Sequence, residues 1–316
     1  MKCLYIFLKL NLDNDILSEG DTLILLFTAY FIAAFASAYN QIKYARQANT
    51  FFAVALYSLI TCTVASFFFL SLTGFTPVFN KTILIFALLF SGVVIISQYV
   101  ALIVYKYMRI LDAGLIMGSL NLVFTFMVGA IWYNEKITVI AVLRMVLSLL
   151  ATLALIFSKN NEKSIIKNTF LGYILCFICI SASVFNTVLS KEFASLPQKQ
   201  DENSYFLLVN IICFIFSLSL ILFIKKGTIK PILSELKAVG KKGYCYILIS
   251  TLGSNIGSII TIWLLAGRVS IILYTPLIAA MGIIVQILTA AIIGKEKIPI
   301  IPIVLSLTSA MLAFAN

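Results

Sequence analysis

The sequence predicts an all-α integral membrane protein, with ten transmembrane helices arranged as two inverted five-helix repeats. Three observations carry this expectation. Of 316 residues, 62% are hydrophobic and 11% charged, with a mean hydropathy of +1.08. A soluble domain carries roughly 45–50% apolar and about 25% charged residues. Apolar stretches recur along the whole chain at close to the ~20 residues that a helix needs to cross hydrocarbon. An acidic turn, Asn134-Glu135-Lys136-Ile137, returns 161 positions later as Lys295-Glu296-Lys297-Ile298, with an apolar stretch on each side of both.

Taken in chain order, the first residues, 1–21, hold one short apolar run (Leu4–Leu8) and no small-residue cleavage site, and read as a tail rather than a signal peptide. Charged or turn-forming breaks then delimit spans at about 22–39, 50–73, 82–105, 111–132 and 138–157. A polar linker, 159–167, follows, and a second set lies at about 168–190, 204–224, 244–266, 269–293 and 298–316. Such segments are expected to be helical, because an unpaired strand leaves its backbone unsatisfied in hydrocarbon. The division is thus a first repeat over 22–158 and a second over 168–316. An odd number of helices per repeat makes the halves run in opposite senses through the bilayer, the plan of many secondary transporters. Between the seventh and eighth spans, Pro231–Val239 reads as a short interfacial helix amid six lysines of 225–243.

Composition also excludes chemistry. With no histidine in the chain, the usual general base and metal ligand are missing. The six cysteines lie nearly all in apolar runs, and the Cys176–Cys179 pair reads as packed small hydrophobes rather than a metal or redox site. No Walker-type phosphate loop appears, and no acidic residue stands mid-span to switch a proton antiport. A hydrolase or transferase would want His, paired carboxylates or a nucleophile–base pair. The chain is therefore expected not to be an enzyme and to need no cofactor and no metal. Its net charge of +11 gathers at span ends, so it signals topology rather than nucleic-acid binding. Lys and Arg concentrate in the odd-numbered connections, which the positive-inside tendency would place in the cytoplasm. The expected partners are the lipid bilayer and a small-molecule solute, and both a monomer and a homodimer fit. Lys-, Ile- and Asn-rich composition points to a bacterial source, hence the cytoplasmic membrane.

Polar groups deep in spans usually face partner helices or a water-filled cavity. The deepest are Asn121 and Ser254-Asn255, followed by Gln98-Tyr99, Asn186, Asn210 and Gln286. Glu135 and Glu296, each beside a lysine and just before a helix, read as structural start signals for the fifth and tenth helices. Arg144 is expected to snorkel or to pair with Glu135 or Asp112, and Arg109 can pair with Asp112 three residues on. Gly114/Gly118 and Gly253/Gly257 match the G-x-x-x-G spacing that lets helices approach closely.

In the connection Tyr105-Lys106-Tyr107-Met108-Arg109, the glycine-containing fourth span, the N-E-K-I and K-E-K-I turns and Gly267-Arg268, the chain resembles the drug/metabolite transporter superfamily, in its ten-helix branch with two EamA-type repeats. The resemblance covers the whole chain. It implies that the third, fourth, eighth and ninth spans and their repeat mates enclose a central pathway. Gln98, Tyr99, Asn121, Ser254, Asn255, Tyr274 and Gln286 are then the candidate solute contacts. The expected function is a secondary permease moving small organic metabolites by alternating access. A multidrug exporter on the same fold and a non-transporting scaffold or sensor are the other readings. In this family both termini usually face inward, against the Lys/Arg distribution, and the orientation stays open.

Overall fold

The computed structural model describes residues 19–47, 51–158, 169–196, 201–224, 230–265, 271–295 and 300–312. The tail up to residue 18, the linker 159–167 and Glu296 lie outside the described residues. Within them the chain forms ten α-helices: α1 Glu19–Gln47, α2 Phe51–Leu72, α3 Lys81–Tyr107, α4 Ile110–Trp132, α5 Val139–Ser158, α6 Thr169–Ala194, α7 Glu202–Ile224, α8 Lys230–Leu265, α9 Ile271–Thr289 and α10 Ile300–Met311. Seven of these, α1 to α4 and α6 to α8, are long and apolar enough to cross a membrane. The chain is a multi-pass membrane protein on that ground. Among the described residues, α5, α9 with the π-helical turn Ala290–Gly294 that follows it, and α10 add apolar stretches at Val139–Ala151, Met281–Gly294 and Ile300–Ser309.

Local chemistry sets the helix starts. Asn80 Oδ1 accepts from the Ile83 amide at 2.8 Å to open α3, and Asp201 Oδ2 accepts from Ser204 at 3.1 Å to open α7. A side-chain oxygen there satisfies one of the amides that a helix N-terminus leaves unpaired. At α5 the cap is Thr138, whose Oγ1 accepts from the Ala141 amide at 3.2 Å. The expected start signal, Glu135, instead reaches across to α6.

Two helices run past their expected bounds. α1 continues to Gln47 because polar groups such as Asn40 are satisfied within it, through Nδ2 to Ala36 O at 2.7 Å. α8 begins at Lys230, so the short helix expected over Pro231–Val239 is present and joined to the span at Gly240, whose φ of 64° breaks the helical run. Only glycine adopts that left-handed conformation without strain.

Each helix packs most extensively on one from the other half of the chain: α1 on α8, α2 on α7, α3 on α6, α4 on α9 and α5 on α10. The α1–α8 pair is held backbone to backbone, since a Cβ on Gly253 would come within 2.5 Å of the Ala33 carbonyl. Gly118 lets Ile283 of α9 approach in the same way, and Gly114 seats the stem of Gln286. Gly114, Gly118 and Gly253 of the G-x-x-x-G stripes therefore act in packing. At one end of the bundle, buried rings lock α6 to α7, with Phe193 and Tyr205 stacked at 4.1 Å and Phe90 edge-on to Tyr205.

Candidate solute cavity

The helix pairs leave a central space with two adjoining lobes of about 350 and 380 Å³. Tyr30, Ala34, Gln41, Asn121, Ser183, Asn186 and Ile278 border both lobes. The first lobe adds Phe90, Thr187, Ser190, Phe206, Ser254, Ser258 and Thr261. The second adds Ser97, Gln98, Gly114, Met117, Gly118, Cys179, Gly282 and Gln286. Among the described residues, all that line either lobe are uncharged.

The candidates divide. Gln98, Asn121, Ser254 and Gln286 border the cavity. Gln98 Oε1 accepts from Ser58 at 3.2 Å, while Gln286 Nε2 donates to the Tyr105 hydroxyl at 3.3 Å. Tyr99 does not border it: the ring is buried toward α7, with its hydroxyl 3.4 Å from Ser217 Oγ. Asn255 is also buried away from it, one helical step of ~100° round from Ser254. The Tyr274 side chain lies outside the described residues. Asn210, deep in α7, bonds back to Phe206 O at 2.8 Å and serves its own helix.

Sequence reasoning missed the α1 and α6 walls. Tyr30, Ala34, Ser37, Ala38 and Gln41 share one face of α1, and Cys179, Ser183, Asn186, Thr187 and Ser190 share one face of α6. The signal was present as polar and small residues at i, i+4, i+7 spacing inside otherwise apolar runs. Of these, Asn186 stood out by depth but was not placed among the contacts.

Several polar atoms in this region have no hydrogen-bond partner among the described residues: Asn121 Oδ1, Asn186 Oδ1 and Gln286 Oε1. A buried acceptor left so costs ~1–3 kcal/mol. Rotation about the terminal amide torsion, which is broad and roughly two-fold, turns either amide atom toward the space.

At the end of the bundle where α4 and α6 finish, a polar cluster joins them. Lys191 Nζ lies 2.6 Å from Glu135 Oε1 and 4.1 Å above the Tyr133 ring. Tyr133 donates to Glu192 at 2.8 Å. Burial, and then the Glu192 carboxylate, hold the Tyr133 phenol above its ordinary pKa, so it remains a donor. At the opposite end, Arg46 Nη1 of α1 donates to Ile293 O beyond α9 at 3.3 Å.

No family model matches the chain, and no curated protein does. Among 28 matching chains of solved structures is one described as "Crystal structure of protein", which superposes with a TM-score of 0.60 over 92% of this chain and 96% of that one, at 16% identity. The likeness is one of fold over nearly the full length of both.

Proposed function

We propose that the protein is a secondary permease that carries small organic solutes through the central cavity by alternating access between two inverted repeats. The observation that carries this reading is a cavity between helices of both halves whose described lining is uncharged and sets amides and hydroxyls among apolar side chains, inside a chain otherwise built of apolar helices. Intramembrane polar groups are costly and concentrate along solute paths.

Correspondences between the halves support the repeat. The five cavity residues of α1 have counterparts 149 positions later in α6 (Tyr30 to Cys179, Gln41 to Ser190), each bordering the cavity too. From the third helix on, the offset is 161: Ser97 and Ser258, Met117 and Ile278, Asn121 and Gly282 all border it. Ser148 and Ser309, also 161 apart, bond to each other at 2.8 Å, as residues related by a two-fold axis do when they meet on it. Asn134 and Lys295, one position before the two glutamates, share left-handed backbone with φ of 49° and 51°. The offset changes where the second half inserts its extra short helix, before Gly240. The helix pairs also survive exchange of each helix with the one five later: α1–α8 becomes α6–α3, and α2–α7, α4–α9 and α5–α10 map onto themselves.

On this reading the ties at the two ends of the bundle are related gates, Glu135–Lys191 between α4 and α6 and Arg46–Ile293 between α1 and the end of α9. Opening one while the other holds would expose the cavity to one side at a time. The test is ligand-induced thermal stabilisation of the purified protein across amino acids, nucleosides, sugars and lipophilic cations. A ligand of the folded state raises the melting temperature with concentration. A shift confined to one solute class and lost in Asn121→Leu is the expected result. A shift from every class that persists in Asn121→Leu would contradict a cavity site.

A further inference from the structure

We infer that the solute is uncharged, of about nucleoside size and rich in hydrogen-bonding groups, and that its movement follows its own gradient without a coupling ion. This rests on the permease reading above and narrows it. Three features of the cavity lead there.

The first is the charge balance. The described lining offers hydroxyls, primary amides and rings, and no carboxylate, ammonium or guanidinium. A charge entering such a space gives up its hydration without a counter-charge, which is costly by several kcal/mol even after relaxation. The second is the backbone. Transporters that bind carboxylates or sodium at mid-depth do so at broken helices, whose exposed ends supply partial charges. Here α1, α3, α4 and α6 are unbroken helices along the cavity, and α9 stays helical through Gln286. The interruption in α8 falls at Gly240, thirteen residues before its first cavity residue, Gly253. No helix end is therefore aimed at the cavity from these elements, and a zwitterion fares no better than an ion. The third is what the amides lack. Asn121 and Asn186, at the junction of the lobes, and Gln286 in the second each hold an oxygen without a partner among the described residues. They call for hydrogen-bonding groups on the solute, since each terminal amide can present its oxygen or its nitrogen. Tyr30, Phe90 and Phe206 border the first lobe, whose ~350 Å³ admits a flat ring.

The experiment is counterflow in proteoliposomes of wild-type protein, with labelled uridine and glucose as uncharged probes. Leucine is the zwitterion, tetraphenylphosphonium the cation and a hexose phosphate the anion. We expect saturable counterflow of uridine or glucose, unchanged by an imposed membrane potential or by sodium and proton gradients. Asn121→Leu and Asn186→Leu, purified as monodisperse protein, should each lower it at least tenfold. Counterflow of leucine, the cation or the phosphate with both uncharged probes excluded would overturn the inference while leaving the permease reading in place. So would uncharged flux that scales with the potential or with an ion gradient. Absence of counterflow for every probe by folded protein would overturn the permease reading and this inference with it.

Discussion

Arg109 and Arg144 stand at opposite extremes of how a cation is accommodated. Arg109 makes two 3.0 Å bonds to the carboxylate of Asp112, which is buried in the first turn of α4. Removing the arginine leaves a buried carboxylate short of its strongest donors, a loss of ~1.5–3 kcal/mol. Arg109→Ala should therefore lower thermal stability, and Arg109→Ala/Asp112→Asn should recover part of it; equal melting temperatures for wild type and Arg109→Ala would show the pair to be idle. Arg144 is 3% exposed, and of its guanidinium nitrogens only Nε has a partner among the described residues, the Ile140 carbonyl at 3.4 Å. The expected pairing with Glu135 or Asp112 is not made, because those carboxylates are engaged by Lys191 and Arg109. An apolar side chain of similar length is commonly neutral or stabilising at such a place. Arg144→Met should melt at or above the wild-type temperature, and a fall of about 5 °C or more, on the order of 2–3 kcal/mol for a chain of this length, would reveal a partner that matters. The local pair was legible in the sequence because three residues along a helix fix two side chains as neighbours. The isolation of Arg144 was not, because it depends on what other helices bring.

Depth was readable and direction was not. Asn121, Gln98, Ser254 and Gln286 were found because a polar side chain far inside an apolar run is conspicuous, and all four border the cavity. Tyr99 and Asn255, their immediate neighbours, were equally deep but point elsewhere, since one step along a helix turns the side chain by ~100°. The α1 and α6 faces went unread for the converse reason. Serine and alanine are unremarkable singly, and only their shared face makes them a wall. At this scale the sharpest test contrasts two glycines of α8. A Cβ at Gly253 would lie 2.5 Å from the Ala33 carbonyl and 3.0 Å from the Ser37 amide, so α1 and α8 must separate. At Gly257 the nearest atom is the Tyr30 ring edge at 3.7 Å, an ordinary contact. Gly253→Ala should destabilise by ~1–3 kcal/mol, as overpacking does, while Gly257→Ala should be tolerated in yield and melting temperature. Equal behaviour of the two would mean that the α1–α8 approach is looser than described.

The whole molecule is interlocked rather than divided in two. Because each helix finds its most extensive neighbour in the other half, the halves share one core, and the cavity is walled by both. The helical segments and the recurrence of the acidic turn were visible in the sequence, and the same offset of 161 residues relates Ser148 and Ser309, which meet in a direct hydrogen bond. The pairing of helices was not visible, since nothing in an apolar run states which other run it faces. With the native cysteines replaced, Ser148→Cys/Ser309→Cys should form an intramolecular disulfide on mild oxidation, read as a reducible mobility shift. Failure to cross-link would place α5 and α10 apart. Labelling of a single cysteine tests most directly that the cavity is a solute path opening to each side in turn. In the cysteine-free protein, Ser254→Cys, on the exposed part of the cavity wall, is treated with a membrane-impermeant maleimide from one face of the membrane and then from the other. Modification from both faces, slowed by a transported solute, is the expected result. Reaction from neither face, or from one face alone whatever solute is present, would contradict it.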